Sequence, residues 1–253
     1  MKVVLPFIDH QFNGIIWRLE IDGLTDTLFA EVRNSEERIV SFSSVDLTTG
    51  KLNFSNLATD ERWLTGIECA YNGILLLHHY QSDNSPVHKG VIAIDGQTGT
   101  TIWSNYTYAF DHLSVNGPIV YNSQLQPKKL VLADIKTGTV IRNHEPAIDT
   151  EAIIPIIFPS LIPASGYKDP LLKIEPFGNS LYYVEVNNLR IVSLHAQTAN
   201  GLEQHLYVMD GAKVVFEDIM NTDIQKLQPE AFIVYKNCLI YIKNKFELKA
   251  LNL

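Results

Sequence analysis

The sequence predicts an all-β fold, a five-bladed β-propeller of four-stranded antiparallel blades. Three observations lead there: a turn pattern that recurs along the chain, Asn-Gly hairpin signals between the recurrences, and a last segment one strand short of a full blade. A single domain over residues 1–253 is expected, with blades at about 24–55, 66–106, 112–144, 171–219 and 230–253. An N-terminal strand at 13–20 is expected to complete the last blade.

The pattern is clearest from Ala93 to Trp103, where Asp95, Thr98, Gly99 and Trp103 follow the strand-like run Gly90 to Ile92. A second copy from Ser44 to Phe54 keeps Asp46, Thr49, Gly50 and a terminal aromatic. A third from Leu132 to Arg142 keeps Asp134, Thr137 and Gly138 but ends on Arg142. These residue types suit a hairpin between two strands of one blade. The Asp accepts hydrogen bonds from backbone N–H groups a turn later, and the Gly supplies the positive φ of a tight, bulged connection. The aromatic falls on the following strand, where it can pack between neighbouring sheets. Asp, Thr and Gly of this pattern are therefore read as turn formers and not as catalysts.

The pattern Ala-x-Asp-x-x-Thr-Gly-x-x-x-Trp at Ala93 to Trp103 resembles the tryptophan-docking repeat of quinoprotein (PQQ-like) β-propellers. The dehydrogenases of that family are larger, typically eight-bladed and exported, and use calcium with a vicinal cysteine pair. This chain has no adjacent cysteines, so the resemblance implies the propeller fold and not that activity.

The remaining elements follow in order. The copies lie roughly 40 to 50 residues apart, the length of a four-stranded blade with its loops. In the second blade Gly66 to Ala70 and Ile74 to Tyr80 flank Asn72-Gly73, and in the third Leu113 to Val115 precedes Asn116-Gly117 and Pro118 to Asn122. The fourth is irregular. Ser193 to Gly201 resembles the motif with His195 in the Asp position, while a rival parse puts the turn at Met209 to Ala212. In the last, Phe232 to Tyr235, Leu239 to Lys243 and Phe246 to Leu251 are three strands. Ala250 to Leu253 reads as the first half of the motif and Asn13 to Trp17 as its second half, so that a shared blade leaves no open edge.

Composition removes several function classes. With 46% hydrophobic and 19% charged residues the chain can bury a core. A net charge of -8 repels a phosphate backbone, so nucleic acid is not an expected partner. The apolar run Met1 to Ile8, broken by Pro6, is too short for a secretory segment, and no stretch reaches the roughly 20 apolar residues of a membrane helix. A cytoplasmic location is expected. Cys69 and Cys238 read as core thiols.

Ligand binding is expected on the face carrying the long loops Arg33 to Arg38, Asn56 to Thr65, Gln81 to Lys89, Tyr106 to His112 and Glu145 to Pro170. Glu61, Arg62, Trp63, Tyr106, Tyr108 and His112 are the candidate ligand-binding residues, an aromatic and charged mixture suited to a polar ligand. His112 with Asp111 leads among the histidines. Asp9-His10 and His78-His79 are not chelates in themselves, because neighbours on a strand point to opposite faces. Neither a metal centre nor a cofactor is expected. The apolar, proline-interrupted stretch Ile153 to Pro163 needs cover, either by folding back as a plug or by an oligomer or partner contact. A noncatalytic binding or scaffold module, for a protein or small molecule, is the leading function. The alternative is a glycoside hydrolase-like enzyme, with Asp9, Glu68 and Asp111 as the carboxylates around a central channel.

Overall fold

The computed structural model describes residues 5–167, 169–199, 201–228 and 231–253. The start of the apolar run at Met1 to Val4, Asn200 of the fourth motif and Glu230 of the last blade lie outside them. Among the described residues the chain is all-β, with five antiparallel sheets of four or five strands and no α-helix. It divides into two compact units, Asn13–Ile154 and Met1–Phe12 with Pro155–Leu253.

The unit Asn13–Ile154 holds three sheets in chain order. The first comprises Ile15–Asp22, Thr27–Asn34, Ile39–Asp46 and Leu52–Leu57. The second comprises Thr65–Tyr71, Ile74–Ser82, Ser85–Asp95 and Thr101–Asn105, and the third Tyr108–Ser114, Gly117–Asn122, Leu130–Ala133 and Val140–Asn143. Each recurring motif is the last hairpin of its sheet. Asp46, Asp95 and Asp134 accept backbone N–H groups two and three residues on at 2.7–3.3 Å. Gly50, Gly99 and Gly138 close the turns at φ 75, 74 and 70°. Those hydrogen bonds favour the ionised form, and backbone donation at Thr98 leads in holding Asp95 below the usual carboxylate range.

The motif glycines are needed twice over. Phe54 of the first sheet packs on Gly99 of the second, and Trp103 of the second packs on Gly138 of the third. The Trp103 indole N–H donates to the Ile135 carbonyl at 2.9 Å. An aromatic at the end of one motif therefore sits where the next motif lacks a Cβ, and this docking couples sheet to sheet. Between the first two sheets Phe29, Val40 and Phe42 meet Ile67, Leu75 and Leu77. Leu76, Val91 and Ala93 continue the core toward Ile135 of the third. Arg142, standing where the third copy lacks its aromatic, instead pairs with the buried Asp149.

In the other unit one sheet runs Ser160–Pro163, Ser180–Val186, Leu189–Thr198, Gly201–Asp210 and Lys213–Ile224. The two rival turns are both present there as successive hairpins. His195 does not take the Asp role: it lies inside Leu189–Thr198, opposite Gln204, and its Nε2 accepts the Gln228 N–H at 3.0 Å. The last sheet runs Ile8–Gln11, Glu247–Asn252, Cys238–Lys243, Ile233–Tyr235 and Ile156–Ile157.

An N-terminal strand does complete this last sheet, but it is Ile8–Gln11, with Ile8 opposite Ala250, and not residues 13–20. Ile15–Asp22 instead begins the first sheet, because Asp22-Gly23 opens a hairpin onto Thr27–Asn34 in which Asp22 accepts from the Leu24 N–H and the Thr25 hydroxyl. The first sheet thus begins before the expected 24. The stretch Ile153 to Pro163 is not a covered plug. It supplies an edge strand to each of two sheets, where proline is tolerated, and leaves Ile153, Phe158 and Leu161 exposed at 89, 68 and 60%. Cys69 and Cys238 are free and buried, with burial pushing the Cys238 thiol up to about 12.

Candidate functional site

The first strand of each sheet in the unit Asn13–Ile154 carries one unpaired extra residue at a β-bulge. Register slips between Ile16 and Arg18, between Ile67 and Cys69, and between Phe110 and His112, leaving Trp17, Glu68 and Asp111 as the extra residues. A bulge frees a side chain from strict alternation and re-aims it. The three residues so treated are an exposed tryptophan and two carboxylates.

Glu68 is turned into a group of histidines. Its Oε1 lies 2.9 Å from His88 Nδ1 and 3.3 Å from His78 Nδ1. The two imidazoles stack with centroids 3.5 Å apart and planes 7° from parallel, and Tyr80 stands edge-on to both. His78 comes from Ile74–Ser82 and His88 from Ser85–Asp95. The Asp83-Asn84 turn between these strands sets Ser82 opposite Ser85, and a register shift between Tyr80 and Ser82 then brings Tyr80 opposite His88, with His78 diagonally beside it. Gly66 lies opposite His78, and a Cβ there would sit 2.9 Å from the ring. The bulge is braced from the first sheet: Arg18 donates to the Ile67 and Glu68 carbonyls at 2.7 and 2.9 Å, and Glu31 accepts the Ile67 N–H at 2.9 Å.

Burial sets the protonation of this group. It pushes Glu68 up to about 8 against the opposing charge of Arg18, so the carboxyl is largely protonated at neutral pH. It pushes His78 down to about 3, helped by His88, Arg18, Arg33 and His79, and lowers His88 as well. Both imidazoles are therefore neutral at neutral pH. His78 is 1% exposed, yet neither of its ring nitrogens makes a hydrogen bond.

Beside this group opens a cleft of about 380 Å³ lined by Trp17, Arg33, Trp63, Tyr80 and the turn at 82–86. The Arg33 guanidinium lies 5.4 Å from the rings of both Trp17 and Trp63 and 5.9 Å from that of Tyr80. Its Nε donates to Glu31 at 2.7 Å and a terminal nitrogen to the Thr65 carbonyl, which fixes the guanidinium plane against the indoles. Trp17 remains 66% exposed.

Of the expected ligand-binding residues, Trp63 lines this cleft. Glu61 caps its own turn by accepting the Trp63 and Leu64 N–H groups, and the Arg62 carbonyl accepts the Val40 N–H. Tyr106 is 62% exposed near His79, and Tyr108 packs on the core between the second and third sheets. His112 bonds Asp111 at 2.7 Å, and Lys128 takes the other Asp111 oxygen at 2.5 Å. Although partial burial opposes it, these two partners hold Asp111 below the usual carboxylate range. The three suspected carboxylates each have a basic partner of their own: Lys249 for Asp9, the two histidines for Glu68, and Lys128 with His112 for Asp111. Sequence reasoning passed over Trp17, Arg33, Tyr80 and His88. Gln81 to Lys89 read as a loop, whereas it is the hairpin that delivers Tyr80 and His88.

Five antiparallel sheets, with a histidine–carboxylate group beside an aromatic cleft in one unit, define this all-β protein. Residues 21–103, a third of the chain and including Glu68, His78 and His88, match a domain of unknown function, DUF4905. No curated protein matches. Among solved structures, the chain is similar to Raptor from Chaetomium thermophilum at 8% identity and a TM-score of 0.30, over 98% of this chain and 28% of that one. It is also similar to an exo-β-1,3-galactanase from Phanerochaete chrysosporium at 10% identity and a TM-score of 0.29, over 97% of this chain and 64% of that one. The chain thus spans less than two thirds of the length of either. Among the described residues no helix is long and apolar enough to cross a membrane.

Proposed function

We propose that the chain is a noncatalytic binding module, a five-bladed propeller of PQQ-like repeats that takes a small polar ligand with a flat face in the cleft beside Trp17. The observation that carries this reading is the exposed Trp17 ring, held with Trp63 around the fixed Arg33 guanidinium. Aromatic surface left open in a cleft alongside Asp83, Asn84 and Ser85 offers stacking and hydrogen bonds to the same ligand. The propeller reading is supported by the sheet-to-sheet docking of Phe54 on Gly99 and Trp103 on Gly138. A cytoplasmic location fits the two free, buried thiols.

Two of the three tryptophans line the cleft, so intrinsic fluorescence reports on its occupation. A panel of mono- and oligosaccharides and of aromatic carboxylates is the appropriate screen, followed by thermal shift for any responder. A saturable fluorescence change is expected with at least one member, and Trp17→Ala is expected to weaken that binding at least tenfold, about 1.4 kcal/mol. The exposed position of Trp17 leaves the unfolding midpoint of this variant nearly unchanged. A full panel without response, or a response that Trp17→Ala leaves intact, overturns the reading.

A further inference from the structure

From the convergence of Glu68, His78 and His88 we infer a binding site for a divalent transition-metal cation, with zinc as the probe, held by two imidazole nitrogens and one carboxylate oxygen. Their donor atoms all lie within 4.8 Å of one another. The separations from Glu68 Oε1 to the two Nδ1 atoms, 2.9 and 3.3 Å, are close to the roughly 3.3–3.5 Å between donors that each sit about 2.0–2.2 Å from a tetrahedral zinc ion. Occupation requires the Glu68–His88 contact to open by a few tenths of an ångström and the two rings to turn toward a common ion.

Independent support comes from His78. A structural histidine buried to this degree is ordinarily hydrogen-bonded, since an unsatisfied buried polar atom is costly. His78 has no hydrogen bond at either ring nitrogen, and its Nδ1 is aimed at Glu68. A metal ion at that point gives the nitrogen its partner. The two rings lie side by side with their planes nearly parallel, so joint ligation tilts them until their in-plane lone pairs converge, and Gly66 leaves room for the His78 ring against its strand. Arg18 and Glu31 fix the bulge that aims Glu68. Glu68 and His78 have side chains 6 and 2% exposed, whereas that of His88 is 35% exposed and gives the route in. Three protein donors leave at least one coordination position for water or a ligand. This inference does not depend on what occupies the aromatic cleft.

The test uses the full chain, stripped with EDTA and desalted, then titrated with zinc chloride and, separately, cobalt chloride. One equivalent of zinc is expected to bind and raise the unfolding midpoint, and cobalt to develop the visible absorption of a nitrogen- and oxygen-ligated site. His88→Ala is expected to weaken zinc binding by at least roughly 100-fold, beyond the 10- to 100-fold typical when a residue that only orients a ligand is lost. His112→Ala, which alters the separate pair with Asp111, is expected to leave binding unchanged. Circular dichroism establishes that each variant is folded. Because His88 is partly exposed it is the variant of choice, and Glu68→Gln gives a second reading. Substoichiometric binding to the folded wild-type chain, or equal affinity in the wild type and His88→Ala, overturns the inference.

Discussion

Gly138→Ala is expected to destabilise the protein by about 2–5 kcal/mol, combining the roughly 1–2 kcal/mol of a left-handed backbone with the 1–3 kcal/mol of overpacking. The backbone at Gly138 has a φ of 70°, and an added Cβ would lie 2.7 Å from Cδ2 and Cε3 of Trp103. The indole cannot simply swing aside, because its N–H is tied to the Ile135 carbonyl. Gly211→Ala is the control. It too has a positive φ, 54°, but an added Cβ there meets nothing within 4 Å, so only the backbone cost of about 1–2 kcal/mol applies. In thermal unfolding, with about 2–4 °C per kcal/mol for a chain of this size, the two variants separate clearly. Trp103→Leu combined with Gly138→Ala is expected to cost less than the sum of the single changes, since the smaller side chain removes the clash. Equal shifts for Gly138→Ala and Gly211→Ala, or strict additivity with Trp103→Leu, would show that docking on Gly138 contributes nothing.

The motif that carries this docking was legible in the sequence because each hairpin is local, whereas the glycine of the next motif as the seat of the aromatic is a contact between sheets. Asp, Thr, Gly and the terminal aromatic keep fixed offsets, and each has a turn or packing role that follows from its chemistry. The site was legible only in fragments. Trp63 and Glu68 stood out by residue type, but Glu68 meets His78 and His88 through the register of three strands, and a one-residue slip at the bulge decides where its side chain goes. Nothing in the residues around Glu68 announces that slip. His88 was hidden for a different reason. The polar run from Gln81 to Lys89 has loop composition, although the tight Asp83-Asn84 turn makes it a hairpin. Even with that turn placed, regular pairing from Ser82 opposite Ser85 would set Tyr80 against Val87, and it is the register shift between Tyr80 and Ser82 that brings His88 beside Tyr80 and His78. The same slip at Trp17 and Asp111 shows that the bulge is a recurring device of this unit, used once for an aromatic surface and twice for a carboxylate.

The other large effect belongs to Asp149, whose replacement by Asn is expected to lower the unfolding midpoint at pH 7 by on the order of 5 °C or more. Arg142 grips this buried carboxylate at both oxygens, 2.6 and 2.7 Å, and the Glu145 N–H and the Asn116 side chain complete its partners. The third motif thus replaces aromatic docking by an ion pair that ties its last strand to the following loop and to the Asn116-Gly117 hairpin. The Arg142 hydrogen bonds, first among these contacts, hold the Asp149 carboxyl well below the usual range. Its folded-state pKa lies below the unfolded value of about 3.9, so the stabilisation is fully present above that value and is lost as pH falls toward the folded one. The wild type and Asp149→Asn should therefore differ by a constant amount from pH 7 to about pH 5, and the gap should narrow below about pH 4 as the wild type loses its advantage. Thermal unfolding across that range, at fixed ionic strength, measures the gap directly. A gap that stays constant down to pH 2.5 would mean that the amide fails on shape and not on charge, and that the ion pair with Arg142 does not hold the loop.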